Sequence, residues 1–308
     1  MRLPSVSTPT LVSSASLHAL AEALSHACGA RLQAMPAARV HGGSIHECYR
    51  WNSDAGPLFV KITAPERADA LHAEAEGLAA LAQAHAVRVP RVRALGSTAE
   101  HGYLALEWLA LTTSSSAAAA RLGEQLALQH RVCAERFGWH RDNTIGATAQ
   151  PNGWCHDWGE FWRERRLRHQ LELAYRHGYR DSLERQALRV LEQLGHLFSS
   201  YRPQASLLHG DLWGGNWGVE RGGAPVLFDP AVYYGDREAD LAMTRLFGGF
   251  DSTFYAAYAS VWPLDAGARA RIPLYNLYHV LNHLNLFGGG YLAQARRLLE
   301  QLLAELHG

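Results

Sequence analysis

The chain has 308 residues, of which 48% are hydrophobic, and this is enough to form one large domain or two lobes. Basic and acidic residues both number 29, so the formal net charge is zero and no basic block favours a nucleic-acid partner. The four cysteines form no C-x-x-C pair, which argues against a disulfide framework or a zinc site and favours a reducing cytoplasm.

The first third of the chain predicts a small mixed lobe. It begins without the apolar core of a signal peptide, and no apolar run in the chain is long enough to predict a membrane span. Leucines at helical spacing, with Ser16 as N-cap and Gly29 as stop, predict a first helix. Short apolar and β-branched runs predict an antiparallel sheet over residues 32–62. A helix over 65–84 and a strand over 101–109 are expected to follow.

The remaining two thirds predict a larger and mainly helical lobe. Helices are expected over residues 122–133, 183–197 and 292–306, and strands only over 217–219 and 226–228. A stretch rich in Ser and Ala at 112–120 is a candidate boundary. We therefore predict an α+β protein with a β-rich N-lobe over 1–109 and a helical C-lobe over 110–308.

The most informative motif is HGDLWGGN at residues 209–216, which is followed by Asp229 after an apolar run. Asp211 is the predicted general base, which would accept the proton of a substrate hydroxyl. Asn216 and Asp229 are the predicted Mg²⁺ ligands, which would hold the phosphates of a nucleotide. His209 is expected to hold the loop through backbone hydrogen bonds. A turn between two helices would explain the HGD triplet but not the whole set.

Lys61 is the only lysine, since every other residue counted as Lys or Arg is arginine. A lone lysine in such a chain suggests a position that needs a compact ammonium, although a chance remnant on a strand stays open. Glu74 lies in the apolar stripe of the predicted helix over 65–84, where a carboxylate needs a partner. We predict an ion pair that aims Lys61 at the phosphates of ATP, with Glu76 as the alternative partner.

Two further segments are candidates for nucleotide binding. Gly42, Gly43 and Ser44 lie between two predicted strands upstream of Lys61, where backbone N–H groups could approach phosphates. A simple hairpin turn explains two glycines equally well. The connector between the lobes is predicted to bind the adenine edge through Glu107, Trp108 and Leu109.

The segments around these residues resemble the fructosamine/ketosamine kinase family, which is related to aminoglycoside and choline kinases. The resemblance covers residues 15–300. It includes the HGDLWGGN loop, the FDPAVYYGDREADLA segment at 228–242, the segment at 143–152 with its NTIG and QPN strings, and the segment at 158–167. Asp-Pro-Ala stands in place of Asp-Phe-Gly. Some members of the family carry a redox-active cysteine straight after the loop glycines. Ser44 occupies that place here, so a redox switch is not carried over to Cys48 four residues on.

The resemblance implies a protein-kinase-like bilobal fold that uses ATP and Mg²⁺. It implies phosphorylation of the O3 hydroxyl of a fructosamine or ribulosamine, whose unstable phosphate decomposes and so deglycates proteins. Trp213, with Asp236 or Glu238, would then receive the cationic sugar-amine. We expect a cytoplasmic monomer.

Two other functions stay open. A kinase of the aminoglycoside or choline type would be favoured by an acidic substrate loop, and residues 250–258 are not rich in acids. A catalytically silent pseudokinase would bind nucleotide and act as a scaffold. The presence of the base, both metal ligands and the lysine argues against that second alternative.

Overall fold

The computed structural model describes residues 12–40 and 46–307. The chain forms two compact units. The first runs to Leu78 and resumes over Pro90–Ala110, and the second contains Ala79–Val89 and the chain from Leu111 onwards. The predicted α+β class is confirmed, because the first unit contains a five-stranded sheet and helices dominate the second.

The first unit is built around one antiparallel sheet. Its elements are α1 (Ser14–Cys28), β1 (Ala38–Val40), β2 (Glu47–Ser53), β3 (Gly56–Thr63), α2 (Ala68–Gln83, which continues into the second unit), β4 (Val92–Ser97) and β5 (Gly102–Glu107). The strand order is β1-β2-β3-β5-β4, so β3 is the middle strand. Lys61 on β3 pairs with Cys48 on one side and with Leu104 on the other. The lone lysine therefore lies near the centre of the sheet.

The first helix begins earlier than predicted. Ser13 is its N-cap: it has an extended backbone, and its side chain accepts the N–H of Ser16 at 3.1 Å. Ser16, the expected N-cap, therefore lies inside the helix. Gly29 ends the helix as predicted, in the left-handed conformation that glycine adopts without strain. The apolar face of α1 packs with Trp51 and Val60 in the core beneath the sheet.

The second unit contains most of the helices. Its elements are β6 (Leu111–Thr112), α3 (Ser116–His130), β7 (Cys133–Ala134), β8 (Asn143–Ile145), β9 (Thr148–Gln150), α4 (Trp158–Phe161), α5 (His169–Arg176), α6 (Arg180–Gln193), β10 (Ala205–Leu208), β11 (Trp217–Glu220), β12 (Pro225–Leu227), β13 (Tyr233–Gly235), α7 (Glu238–Leu246), α8 (Ser252–Val261), α9 (Ala268–Phe287) and α10 (Leu292–His307). A stretch of π-helix, Trp162–Arg168, joins α4 to α5. The strands form small antiparallel sheets in the orders β13-β10-β7, β12-β11-β6 and β8-β9.

These short strands position the two acidic segments. The HGDLWGGN loop connects β10 to β11, and Asp229 lies between β12 and β13. Sequence patterns predicted β11 and β12 but not β10, because β10 is a fully buried run without alternation. Cys133 was expected in a helix and lies in β7, since α3 ends at His130. The strand predicted over 101–109 ends at Glu107.

Two further properties of the fold are the state of its cysteines and the apolar character of its helices. Cys28, Cys48, Cys133 and Cys155 are free thiols. Among the described residues, no helix has both the length and the apolar character needed to cross a bilayer.

Candidate active site

The first unit buries the lone lysine in an ion pair. Lys61 Nζ donates to the two carboxylate oxygens of Glu74, at 2.8 and 2.9 Å. Both side chains are largely buried, with 5% and 10% of their surfaces exposed. Removal of either partner would leave a charge in a region of low dielectric, which is costly. The structure therefore pairs Lys61 with Glu74, and contact of Lys61 with ATP stays a prediction.

The other nucleotide candidates of the first unit are the residues 42–44 and 107–109. Gly42, Gly43 and Ser44 are outside the described residues. Glu107 ends β5, and its N–H donates to the carbonyl of Arg91 at 2.9 Å. The Trp108 ring packs against the guanidinium of Arg50, which lies 5.1 Å from the ring centroid. The peptide groups of Trp108 and Leu109, which lie beyond the sheet, are therefore better candidates for an adenine edge than the indole itself.

Within the second unit, Asp211 and Asn216 are in direct contact. Asn216 Nδ2 donates to Asp211 Oδ2 at 3.1 Å and to the Asp211 carbonyl at 2.8 Å. Because the amide nitrogen is turned toward Asp211, Asn216 Oδ1 points away from it and is oriented as a candidate metal ligand. The five-residue spacing of the motif is thus what folds the amide back onto the acid.

Backbone hydrogen bonds hold Asp229 against the HGDLWGGN loop. Ala231 N–H donates to the His209 carbonyl at 2.9 Å, and Phe228 N–H donates to the Asn216 carbonyl at 3.1 Å. His209 Nε2 donates to the Phe228 carbonyl at 3.0 Å. Its Nδ1 accepts the N–H of Asp211 at 3.3 Å. The expected structural role of His209 is confirmed, and the metal-ligand candidate Asp229 is brought to the same loop as Asp211.

The electrostatics of the loop suit a bound cation. The pKa of Asp211 is raised to about 7, mainly by burial and also by the negative charge of Asp229. The hydrogen bond from Asn216 acts in the opposite direction and lowers this pKa. A divalent cation would relieve this repulsion. No group of three or more His, Cys, Asp or Glu side chains in the described part of the chain forms a metal site by itself. The two oxygen donors, Asn216 and Asp229, fit Mg²⁺, which takes few protein ligands and completes its shell with water and phosphate oxygens.

Asp240 is the anchor of the loop, and we did not predict it. Its carboxylate accepts the N–H groups of His209 and Gly210, at 2.8 and 2.9 Å. Burial alone would raise the pKa of Asp240, but hydrogen bonds from His130 and the loop outweigh it and lower that pKa. Gly210 has φ 82°, and a Cβ there would lie 2.0 Å from the Ala231 carbonyl oxygen, so the position requires glycine. The sequence placed Asp240 in the resembling segment 228–242, but no pattern there indicated this role.

A buried polar network fixes the segment after Asp229. Asn143 Nδ2 donates to the Val232 carbonyl at 2.8 Å, and Gln150 Nε2 donates to the Ala231 carbonyl at 3.2 Å. Asn143 and Gln150 belong to the β8–β9 hairpin. The fully buried Arg166 supports this hairpin by donating to Asn152 Oδ1 at 2.7 Å. These residues belong to the resembling segments at 143–152 and 158–167, to which no role was assigned from sequence.

The predicted substrate residues are found in different environments. Trp213 is 40% exposed on the loop and is available to a ligand. Asp236 is buried and accepts the Tyr275 hydroxyl at 2.6 Å. Glu238 is buried and accepts two hydrogen bonds from Arg271, at 2.8 and 2.9 Å. Because the fold uses these two carboxylates internally, we do not include them in the substrate site proposed below.

Comparison with known proteins relates this geometry to one family. The sequence profile described as fructosamine kinase matches residues 16–305. A probable ketoamine kinase of Synechocystis sp. is 43% identical over 285 residues, which cover 92% of this chain and 96% of the relative. The chloroplastic protein-ribulosamine 3-kinase of Arabidopsis thaliana is 39% identical over 271 residues, which cover 87% of this chain and 82% of the relative.

Solved structures agree on the fold. A candidate fructosamine-3-kinase of Thermobifida fusca superposes with a TM-score of 0.83 at 33% identity, covering 93% of this chain and 99% of the other. An aminoglycoside phosphotransferase mutant crystallised with ADP and hygromycin B has a TM-score of 0.64 at 14% identity, covering 94% and 98%. The second likeness concerns the fold alone.

Proposed function

Because the chain belongs to the fructosamine kinase family and is thus an ATP-dependent phosphotransferase, we propose that its acceptor is the O3 hydroxyl of a fructosamine or ribulosamine. Phosphorylation there would destabilise the sugar-amine adduct and lead to protein deglycation. The observation that carries the proposal is the contact of Asp211 with Asn216 beside Asp229. A base and two oxygen ligands in one loop region are what phosphoryl transfer to a hydroxyl requires.

Asp211 acts as the general base. Its pKa, raised to about 7, matches a group that must gain and lose a proton near neutral pH. The hydrogen bond from Asn216 Nδ2 to Asp211 Oδ2 orients the carboxylate for the incoming hydroxyl. Bound Mg²⁺ would neutralise phosphate charge, and Asn216 and Asp229 would hold it. Trp213 supplies an exposed aromatic face that would stack on the sugar or its protonated amine.

The first unit binds ATP in this proposal. Lys61, oriented by Glu74, contacts the phosphates through a point charge on a rigid strand. Gly42, Gly43 and Ser44, which are outside the described residues, stay predicted phosphate-binding residues, and the peptide groups after Glu107 would bind adenine. Membership of the fructosamine kinase family supports nucleotide binding. We further propose a cytoplasmic monomer, which the four free thiols support for the compartment.

Measurement of ADP release with ribulosyl-lysine and fructosyl-lysine tests the acceptor. We expect ATP-dependent turnover of at least one ketosamine, with the phosphate on O3. Hygromycin B and choline serve as comparison acceptors because the fold is shared with an aminoglycoside phosphotransferase. Turnover of one of these alone would replace the ketosamine assignment by the small-molecule alternative. Nucleotide binding without turnover of any acceptor would favour the pseudokinase.

A further inference from the structure

A chain of buried side chains leads from Arg237 to the HGDLWGGN loop. Arg237 Nη1 donates to the Tyr258 hydroxyl at 3.2 Å. The Tyr258 hydroxyl lies 2.9 Å from His130 Nδ1, and His130 Nε2 lies 3.2 Å from Asp240 Oδ2. Each of these four residues is at most 5% exposed. Asp240 in turn accepts the two N–H groups at the start of the loop.

The chemistry of the two ends sets the direction of every hydrogen bond. A guanidinium can only donate, so the Tyr258 oxygen accepts from Arg237 and its proton is left for His130 Nδ1. Burial lowers the pKa of His130 despite the opposing effect of Asp240, so the ring is neutral and has one N–H. With Nδ1 accepting, that proton lies on Nε2 and is donated to the carboxylate. One tautomer of His130 is therefore selected.

Arg237, at the end of this row of side chains that is farther from the loop, is rigidly held. Arg237 stacks on the Trp262 ring, with its guanidinium carbon 3.9 Å from the centroid. It also donates to the carbonyls of Trp262 and Pro263, at 2.8 and 2.6 Å. A cation fixed by a ring and two carbonyls cannot turn to release Tyr258 without losing these contacts. The orientation of His130 is thus set by residues at the end of α8.

We propose that Arg237, Tyr258 and His130 are positioning residues that hold Asp240, and through it the backbone of His209 and Gly210 next to Asp211, in the geometry for proton transfer. This proposal rests on the function proposed above, because it assumes that Asp211 is the base. A shift of the base of about 1 Å is enough to cost a large factor in rate, whereas ATP contacts made by the first unit would not change. The expected signature is a loss in kcat without a change in KM for ATP.

Substitution of Tyr258→Phe removes the hydroxyl that holds the His130 ring at Nδ1, whereas the Asp240 carboxylate still favours the proton on Nε2. We expect kcat to fall about tenfold, while KM for ATP stays within about twofold. The matched control is Tyr255→Phe on the same helix, whose hydroxyl lies 3.0 Å from Thr244 Oγ1. That control should leave both constants unchanged. Equal kcat values in the two variants would overturn the proposal.

A second pair of variants separates positioning from packing. The amide nitrogen of His130→Gln can occupy the place of Nε2 and keep the donor to Asp240, whereas His130→Asn reaches only the place of Nδ1. We expect the Gln variant to keep kcat within about threefold and the Asn variant to lose about tenfold or more. The reverse order would contradict the proposal.

Nitrogen-15 NMR of the His130 ring gives a test that needs no acceptor. We expect the Nε2-protonated neutral tautomer in the parent enzyme and in Tyr258→Phe, with a changed Nδ1 chemical shift in the variant because the hydrogen bond from Tyr258 is lost. A parent enzyme with the proton on His130 Nδ1 would refute the proposed hydrogen bonds from Tyr258 through His130 to Asp240. Because this result is independent of turnover, it distinguishes failure of the positioning proposal from failure of the ketosamine assignment.

Discussion

Replacing Asp211 with asparagine is expected to reduce phosphoryl transfer by about 10³-fold, within the range usual for loss of a general base. Asparagine keeps the shape of the side chain and can still accept the hydrogen bond from Asn216 Nδ2, so the loop should stay folded. It cannot take the proton of a hydroxyl. The dissociation constant for ATP should therefore change little. Steady-state kinetics and a direct nucleotide-binding measurement check the two expectations together.

The activity of the parent enzyme should rise with pH, because Asp211 must lose its proton before it can act as a base. Asp211 must be deprotonated to act, and burial followed by the charge of Asp229 raises its pKa to about 7 in the nucleotide-free protein. We expect kcat/KM to rise with pH through this pKa and then to level off, since kcat/KM reports the free enzyme. The rise of kcat with pH should occur at lower pH than the rise of kcat/KM, because a bound cation stabilises the Asp211 carboxylate.

The control for this substitution is Asp251→Asn in the same unit. Asp251 is the N-cap of α8 and accepts the N–H of Phe254 at 3.0 Å, a task that asparagine performs equally well. This variant should match the parent in rate and in pH profile. An Asp211→Asn enzyme that keeps a tenth or more of the parent rate would remove Asp211 from the role of base.

Substitution of Lys61→Arg is expected to lower kcat/KM about 10²-fold although the charge is kept. The Lys61 side chain is 5% exposed and lies between the middle strand and Glu74, where there is little room for a larger planar group. The guanidinium fork can bind both oxygens of Glu74 but cannot present a single point charge to phosphate as an ammonium does. Kinetics at varied ATP concentration measure the loss.

The matched control is Arg168→Lys, an exchange in the opposite direction. Arg168 pairs with Glu164 on the surface, with 43% of each side chain exposed, so the pair contributes little. This variant should be as active and as stable as the parent. If Lys61→Arg were equally active, the presence of a single lysine in the chain would be an accident of composition.

The parts of the site that were predictable are those determined by local spacing. The contact of Asp211 with Asn216 follows from five residues within one loop. The Lys61–Glu74 pair was predictable because a carboxylate in an apolar helix stripe needs a partner, and a strand lysine was near in sequence.

The parts that were missed depend on contacts between distant residues. Asp240 reaches the loop from α7, and its acceptor role follows from no pattern within that helix. Asp236 or Glu238 was predicted to receive the cationic sugar-amine with Trp213, and the structure has both acids buried. Tyr275 and Arg271 satisfy them from α9, whose register relative to α7 could not be inferred from either segment alone.

A crystal structure with Mg²⁺ and a non-hydrolysable ATP analogue would show whether these side chains meet around one nucleotide. We expect Asn216 Oδ1 and an Asp229 carboxylate oxygen at about 2.1 Å from the metal. We also expect Lys61 Nζ within hydrogen-bonding distance of a phosphate oxygen and the Asp211 carboxylate facing the γ-phosphate. A nucleotide whose metal touches neither Asn216 nor Asp229, or whose phosphates lie away from Lys61, would contradict this arrangement.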